Sequence, residues 1–177
     1  MINEEFIHQI IHSKTWNFLL KSQRFIMFLT TVVMLSILGA VVVARYLLHA
    51  DLYGYDELIL VDSFWMYFIG ASYAMSKEEH IKADILATVM SHKMLACSRV
   101  IAGILSTIIS GIFIILSFQM VIRSFKTWTV TSLWNIPYFI PQIAIFLSFL
   151  ITTLYLFIYT IRDYDRAVKL IKIKKEA

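Results

Sequence analysis

The sequence has little of what crosslinks, bends or solubilises a chain. Its 177 residues include one cysteine, two prolines and five glycines, and only 16% of them are charged. The single Cys97 excludes an intramolecular disulfide and a cysteine metal cluster. With so few charges and a mean hydropathy of +0.74, the composition lies outside the range of soluble globular proteins. The chain is therefore expected to form one membrane domain over residues 1–177.

The sequence motifs and charge patterns of several function classes are absent from this chain. The net charge of +4 is small and dispersed, so no nucleic-acid partner is expected. The sequence contains no P-loop, no G-x-S-x-G and no H-E-x-x-H, so we predict no catalytic residue, cofactor or metal site and no enzyme activity. Haem held between membrane helices is disfavoured because the histidines lie outside the apolar segments. They are His8, His12, His49, His80 and His92.

Four apolar segments are long enough to cross a bilayer, which takes about 20 residues of helix. They run over about 25–44, 58–75, 100–121 and 138–161. The fold class predicted is an all-α membrane protein with four transmembrane helices. Glu4 and Glu5 stand where a secretory signal would carry basic residues, so no cleaved signal peptide is expected.

The distribution of Lys and Arg predicts the orientation. If both termini are cytoplasmic, that side holds all of the 16 Lys and Arg residues except Arg45, Arg123 and Lys126. Cytoplasmic flanks are rich in these residues, so we expect both termini in the cytoplasm. The two outer connections carry Trp and Tyr, as an interfacial aromatic belt does.

Two further segments have helical apolar periodicity but are too polar to span. We expect amphipathic interfacial helices over about 4–20 and about 80–96, lying along the lipid surface. In the second, His80 and Asp84 stand one helical turn apart, and a structural role for them is favoured over metal binding or acid–base chemistry. The basic tail, 162–177, is expected to continue the last helix.

Asp62 is the only carboxylate within a predicted span. A carboxylate in the hydrocarbon is unfavourable, so such residues are functional candidates. Asp62 lies four residues past the start of its segment, where water or a partner can reach it. The predicted spans offer no proton relay and no second carboxylate beside it. A direct transport role is therefore the less favoured interpretation.

Small residues recur at four-residue intervals in three segments, a spacing that lets helix backbones approach closely in lipid. They are Ser36, Ala40 and Ala44, then Gly70 and Ala74, then Gly103, Thr107 and Gly111. These stripes predict packing, either within the chain or onto another subunit. Near the last span, Pro137 suits a first helical turn, whereas Pro141 is expected to remove an early hydrogen bond and to bend the helix.

Residues 55–160 resemble the small membrane subunit of tripartite ATP-independent periplasmic (TRAP) transporters, the DctQ-like family. The features that carry the resemblance are an acidic residue before the second span, an aromatic span ending in Gly-Ala, a His-to-Asp motif, and a Ser, an Ile-Pro and a second Pro late in the chain. In this sequence they are Glu57, Gly70 and Ala71, His80 to Asp84, Ser132, Ile136 with Pro137, and Pro141.

The resemblance implies a noncatalytic scaffold subunit that binds a large membrane subunit. In that family the large subunit carries the sodium and substrate sites, and a periplasmic substrate-binding protein delivers an organic acid of the C4-dicarboxylate or sialic acid class. Membrane lipids are the other expected partner, and the resemblance implies a location in a bacterial inner membrane. By this interpretation His80 and Asp84 orient the interfacial helix that anchors the scaffold.

The alternative function comes from a different class. A self-sufficient four-helix carrier would use Asp62 as its ion-coupling carboxylate. Substitution of Asp62 by Asn separates the two hypotheses, since it should abolish transport only in the carrier.

Overall fold

The computed structural model describes residues 13–77 and 92–176 of the chain. Four helices account for nearly all of them: α1 over Lys14–Leu47, α2 over Tyr55–Ser76, α3 over His92–Thr127 and α4 over Phe139–Glu176. Each contains a segment long and apolar enough to cross a membrane. The prediction of an all-helical protein with four potential spans is confirmed.

The helices extend beyond the predicted spans. The 38 residues of α4 make a helix about 57 Å long, at 1.5 Å per residue, against a hydrocarbon core of about 30 Å. Hydropathy locates only the part of a helix that lies in hydrocarbon. The backbone ladder continues into polar surroundings, and so α4 takes in most of the basic tail.

The two predicted interfacial helices are described only in part. Residues 14–20 form the first turns of α1, and residues 92–96 form the start of α3. Positions 4–12 and 80–91, including His80 and Asp84, lie outside the described residues. The start of α1 has a clear local cause, because the Ser13 hydroxyl accepts a hydrogen bond of 3.1 Å from the Trp16 backbone N–H.

The helices form an open row in the order α3, α4, α2, α1. Helix α4 packs against both α3 and α2, and α1 packs along α2. In the described part of the chain no Cα atom of α1 comes within 8 Å of one in α3. Only 6% of the most apolar window of α1 is buried inside the chain. The row therefore leaves wide apolar surfaces for lipid or for another protein.

Contacts between the helices follow steps of seven residues. On α3 the buried line runs through Gly103, Ser110, Ser117 and Ser124. On α1 it runs through Trp16, Gln23, Thr30 and Ala44. A seven-residue repeat is typical of helices that cross at about 20° in the left-handed sense.

Several of the small residues that recur at four-residue intervals lie away from these contacts between the helices. Ser36 and Ala40 of α1 are exposed, and a Cβ added at Gly70 or Gly111 would meet no atom within 4 Å. Of the glycines in these stripes, Gly103 alone packs tightly inside the chain, since an added Cβ would lie 2.6 Å from Thr160 Oγ1. A four-residue repeat suits right-handed close crossings, whereas the left-handed α3–α4 contact requires the seven-residue line.

Hydroxyl groups and rings complete the α3–α4 contact. Ser110 Oγ lies 2.7 Å from Thr153 Oγ1, a hydrogen bond between the two helices. The Phe113 and Phe149 rings stack with centroids 4.8 Å apart. Phe149 in turn contacts Phe68 of α2, with centroids 6.3 Å apart. One aromatic line thus joins three helices.

The tight position of Gly103 leads to a stability prediction. We expect Gly103→Val to destabilise the chain by about 1–3 kcal/mol, because the new side chain overpacks against Thr160. Thermal unfolding followed by circular dichroism in mild detergent measures the effect. Gly111→Val is the matched control, since its surroundings inside the chain are open. Equal melting temperatures for the two variants would contradict this account of the contact.

Candidate functional site

The loop end of the row, where the connections 48–54 and 128–138 lie, is organised by a buried carboxylate. Glu57 is the third residue of α2 and is 9% exposed. Its Oε1 accepts a hydrogen bond of 2.8 Å from the Leu133 N–H, and its Oε2 accepts one of 2.9 Å from the Trp134 N–H. Hydrogen bonds to a charged acceptor are stronger than neutral ones, and a carboxylate suits the first turn of a helix. Glu57 therefore fastens the 128–138 connection to α2.

The 128–138 connection is itself a tight hairpin-like turn. Val130 and Pro137 form an antiparallel bridge. The Thr131 N–H donates to the Ile136 carbonyl at 3.0 Å, and the Thr131 hydroxyl accepts from the Ile136 N–H at 2.9 Å. Asn135 takes up the left-handed conformation that closes the turn, with φ of 53°. These bonds give the connection a defined shape.

Gly54 is required where the two connections meet. Its φ is 82°, a conformation that favours glycine, and an added Cβ would overlap the Trp134 indole. Trp134 remains exposed on its other side, together with Leu133 and Trp128. The loop end thus presents an aromatic and aliphatic tip held in place by Glu57.

The predicted residues near this end fall into two groups. Glu57 and Pro137 belong to the fastened connection, while the Ser132 side chain is exposed beside it. The prediction that Pro141 removes a helical hydrogen bond is wrong. Helix α4 begins at Phe139, so Pro141 lies in its first turn, where backbone N–H groups have no intrahelical acceptor.

The opposite end of the row, the terminal end, contains a hydrogen-bonded cluster that the sequence analysis missed. The Tyr155 hydroxyl donates to Gln23 Oε1 at 3.0 Å, and Gln23 Nε2 donates to Ser72 Oγ at 2.7 Å. These bonds join α4, α1 and α2, and all three side chains are buried. The available signal was Gln23 itself, an amide on the seven-residue line that also carries Trp16 and Thr30.

Aromatic contacts extend this cluster. Trp16 packs on Tyr155 with ring centroids 4.7 Å apart and on Tyr159 at 6.3 Å. The Tyr159 hydroxyl donates to the Ser76 carbonyl at 2.7 Å, satisfying a backbone acceptor at the last residue of α2. Hydrogen bonds and ring contacts therefore join three helices at the terminal end.

Asp62 lies on α2 between these two ends. It is 8% exposed, and its Oδ2 makes no hydrogen bond among the described residues. One turn along α2, Met66 contacts Thr31 of α1 at 4.0 Å, which places Asp62 opposite the middle of α1. The sequence of α1 has no cation between Arg24 and Arg45. The described residues also hold no group of three His, Cys, Asp or Glu side chains suited to a metal.

Comparison with known proteins identifies the family. The family described as tripartite ATP-independent periplasmic transporters, DctQ component, matches residues 25–166, which take in the apolar part of all four helices. The chain belongs to the DctQ family. No curated protein and no solved structure matches the chain.

Membership of the DctQ family gives the chain a role at a coarse level. It is a small permease component of a TRAP transporter, a multi-pass membrane protein that works in a complex with other subunits. The resemblance deduced from the sequence is confirmed in this respect. The suggestion of a sialic acid subtype is not supported, because the match is to the DctQ family as a whole. The alternative of a self-sufficient carrier is not favoured, since the family consists of parts of a larger transporter.

The Glu57 contacts lead to a prediction about the loop end. In Glu57→Gln one side-chain atom can still accept a backbone hydrogen bond, but the other becomes an NH₂ group facing an N–H donor. We expect faster amide hydrogen exchange over residues 131–136, measured by mass spectrometry of peptides from the 128–138 connection.

The control for this experiment is Asp56→Asn. It removes the same charge from the adjacent residue, whose side chain is exposed. Its exchange should match that of the wild type. Equal protection in Glu57→Gln and the wild type would show that the carboxylate does not hold the turn.

Proposed function

We propose that this DctQ chain is a noncatalytic scaffold that binds and anchors the large membrane subunit of its transporter. The complex takes up an organic acid, of the C4-dicarboxylate or sialic acid class, with sodium. A periplasmic substrate-binding protein delivers the substrate to it. The sodium and substrate sites belong to the large subunit, and both termini of the small subunit lie in the cytoplasm of a bacterial inner membrane.

The open row of helices is the observation that carries this proposal. A carrier has to surround its substrate near the middle of the membrane, usually between repeated or interrupted helices. Here the described helices lie side by side, and no Cα atom of α1 comes within 8 Å of one in α3. Such a row presents surfaces and encloses no path of its own, which suits a subunit that supports another.

The fastening at both ends of the row supports a static role. Glu57 joins α2 to the 128–138 connection at the loop end, and Gln23 joins three helices at the terminal end. In hydrocarbon no water competes for the Gln23 hydrogen bonds, so separating those three helices would leave their polar groups unsatisfied. A subunit built in this way keeps its shape while a neighbour moves.

The exposed small residues suit the contact with a partner helix. A Cβ at Gly39 of α1 or Gly70 of α2 would meet no atom within 4 Å. Packing inside the chain therefore does not require glycine at either position. A partner helix, by contrast, can approach a glycine backbone closely. Gly111 of α3 is open in the same way, but α1 and α2 are adjacent helices and each offers an open glycine. We therefore assign the contact with the large subunit to the α1 and α2 side of the row.

The experiment that tests the proposal is affinity purification of the tagged chain from its own host membranes in mild detergent, with mass spectrometry of the bound proteins. We expect a stoichiometric, much larger multispanning protein. Recovery of the chain alone, or only with itself, would remove the main support for a scaffold. Reconstitution of the pair with a periplasmic binding protein then identifies the substrate.

The placement of the contact gives a second expected result. Gly70→Leu should lower recovery of the large subunit several-fold without lowering the melting temperature of the chain itself, because a Cβ at this position meets no atom of the chain within 4 Å. Gly70→Ala is the graded control and should lose less. If Gly70→Leu purifies with as much large subunit as the wild type, Gly70 is not at the interface.

Asp62 gives a prediction that separates the scaffold from the carrier. Asp62→Asn keeps the size of the side chain and removes its capacity to carry charge. We expect the reconstituted transporter to retain sodium-coupled uptake within about twofold, since in the scaffold the coupling sites lie in another subunit. Loss of uptake with normal assembly would instead support the hypothesis that the chain is a self-sufficient carrier.

A further inference from the structure

One face of α3 carries three polar side chains near the loop end. Gln119, Arg123 and Lys126 are spaced by four and three residues, so they share one side of the helix. At 100° per residue this side lies about 140–180° around α3 from the line of Gly103 and Ser110 that packs on α4. All three side chains are exposed and point away from the rest of the row.

None of these three side chains has a partner within the part of the chain that the structure describes. Two other arginines pair with carboxylates: Arg45 lies 3.6 Å from Asp51, and Arg162 lies 3.3 Å from Asp163. The Arg123 guanidinium, the Lys126 ammonium and the Gln119 amide make no such contact in residues 13–77 and 94–169. Their hydrogen-bond donors are therefore available to a ligand.

The predicted span of α3 ends at about residue 121, between Gln119 and Arg123, so we expect these groups at the boundary between headgroups and hydrocarbon. Helix α3 ends at Thr127, so Arg123 lies about 6 Å and Gln119 about 12 Å along the axis from that end. Gln119 and Arg123 line an open pocket of ≈ 180 Å³ together with Leu116 and Met120. An amide at the depth of Gln119 is unfavourable unless a hydrogen-bond partner reaches it.

Beyond the pocket the same face is made of branched aliphatic side chains. They are Ile101, Leu105, Ile108, Ile112 and Ile115, all exposed. Helices that pack closely in lipid use small residues at the contact, and on α3 the regular line of Gly and Ser is on the opposite side. This composition favours acyl chains over a partner helix as the neighbour of α3.

We propose that this face of α3 binds one phospholipid of the outer leaflet. Arg123 and Lys126 hold the phosphate, Gln119 donates to an ester carbonyl below it, and an acyl chain lies along Leu116 and the aliphatic ladder. A guanidinium matches two phosphate oxygens at once, and the ammonium adds a second positive charge. The α3 edge of the row then faces lipid, which leaves the α1 and α2 side for protein.

The test uses the full chain, with whatever protein copurifies, in mild detergent titrated with phosphatidylglycerol. Native mass spectrometry counts the lipids bound per chain. We expect the wild type to retain one lipid and the double variant Arg123→Gln/Lys126→Gln to retain at least fivefold less. The matched control is Arg45→Gln, which removes the remaining cation of the same end and should bind as the wild type does.

A second variant distinguishes a built site from general attraction of anionic lipid. Gln119→Leu makes the face more apolar and leaves both cations in place, so weaker lipid binding in this variant supports the site. Binding in Gln119→Leu equal to the wild type would overturn it. The proposal also fails if the wild type holds no lipid, or if the double variant keeps its lipid.

The same test distinguishes a phospholipid from a protein as the occupant of this face of α3. If the double variant sheds a copurified protein and its lipid count does not change, the cations bind a carboxylate of that protein and the phospholipid site is wrong. Circular dichroism of each variant confirms that the helices are intact, as expected for exposed positions.

Discussion

The hydrogen bonds among Gln23, Ser72 and Tyr155 are the interaction on which the arrangement of the row depends. An amide in hydrocarbon has no water to bond with, so it stabilises the one helix arrangement that supplies both an acceptor and a donor. Gln23 finds these in two different helices. The position of α1 against α2 and α4 follows from that requirement, and the Trp16 ring contacts add to it.

The need of buried polar groups for hydrogen-bond partners also distinguishes the faces of the helices. Hydroxyl groups and Gly103 lie between α3 and α4, where backbones approach closely and the hydroxyls bond to each other or to backbone carbonyls. Gly70 lies on a surface where nothing of the chain approaches, and the outward face of α3 is branched and aliphatic. Some helix surfaces therefore pack within the chain and others are left open by it. We propose that the open surfaces face a partner subunit and lipid, and such a division suits the proposed scaffold role.

The loop end adds a second constraint of a different kind. Here the chain leaves the apolar segments, and backbone N–H groups in an irregular connection need acceptors. Glu57 supplies two of them from the first turn of a helix whose dipole favours a carboxylate. The result is a rigid tip bearing Trp134 and Leu133. Asp62, seven residues further into the apolar segment from the start of α2, has no comparable donor among the described residues.

The sequence by itself determined the number of helices and the DctQ family, and it indicated Glu57 as a candidate residue, because apolar segment length and the residues flanking the spans are local properties. It could not show which residues touch. The four-residue stripes were visible in the sequence, yet the helices of the row meet along seven-residue lines through Gln23 and Ser110. The crossing angle of two helices determines which line of residues is buried between them, and that angle depends on the side chains of both helices. Only the tertiary structure could therefore decide that Gly103 is buried, that Gly70 is open, and that Gln119, Arg123 and Lys126 face away from the protein.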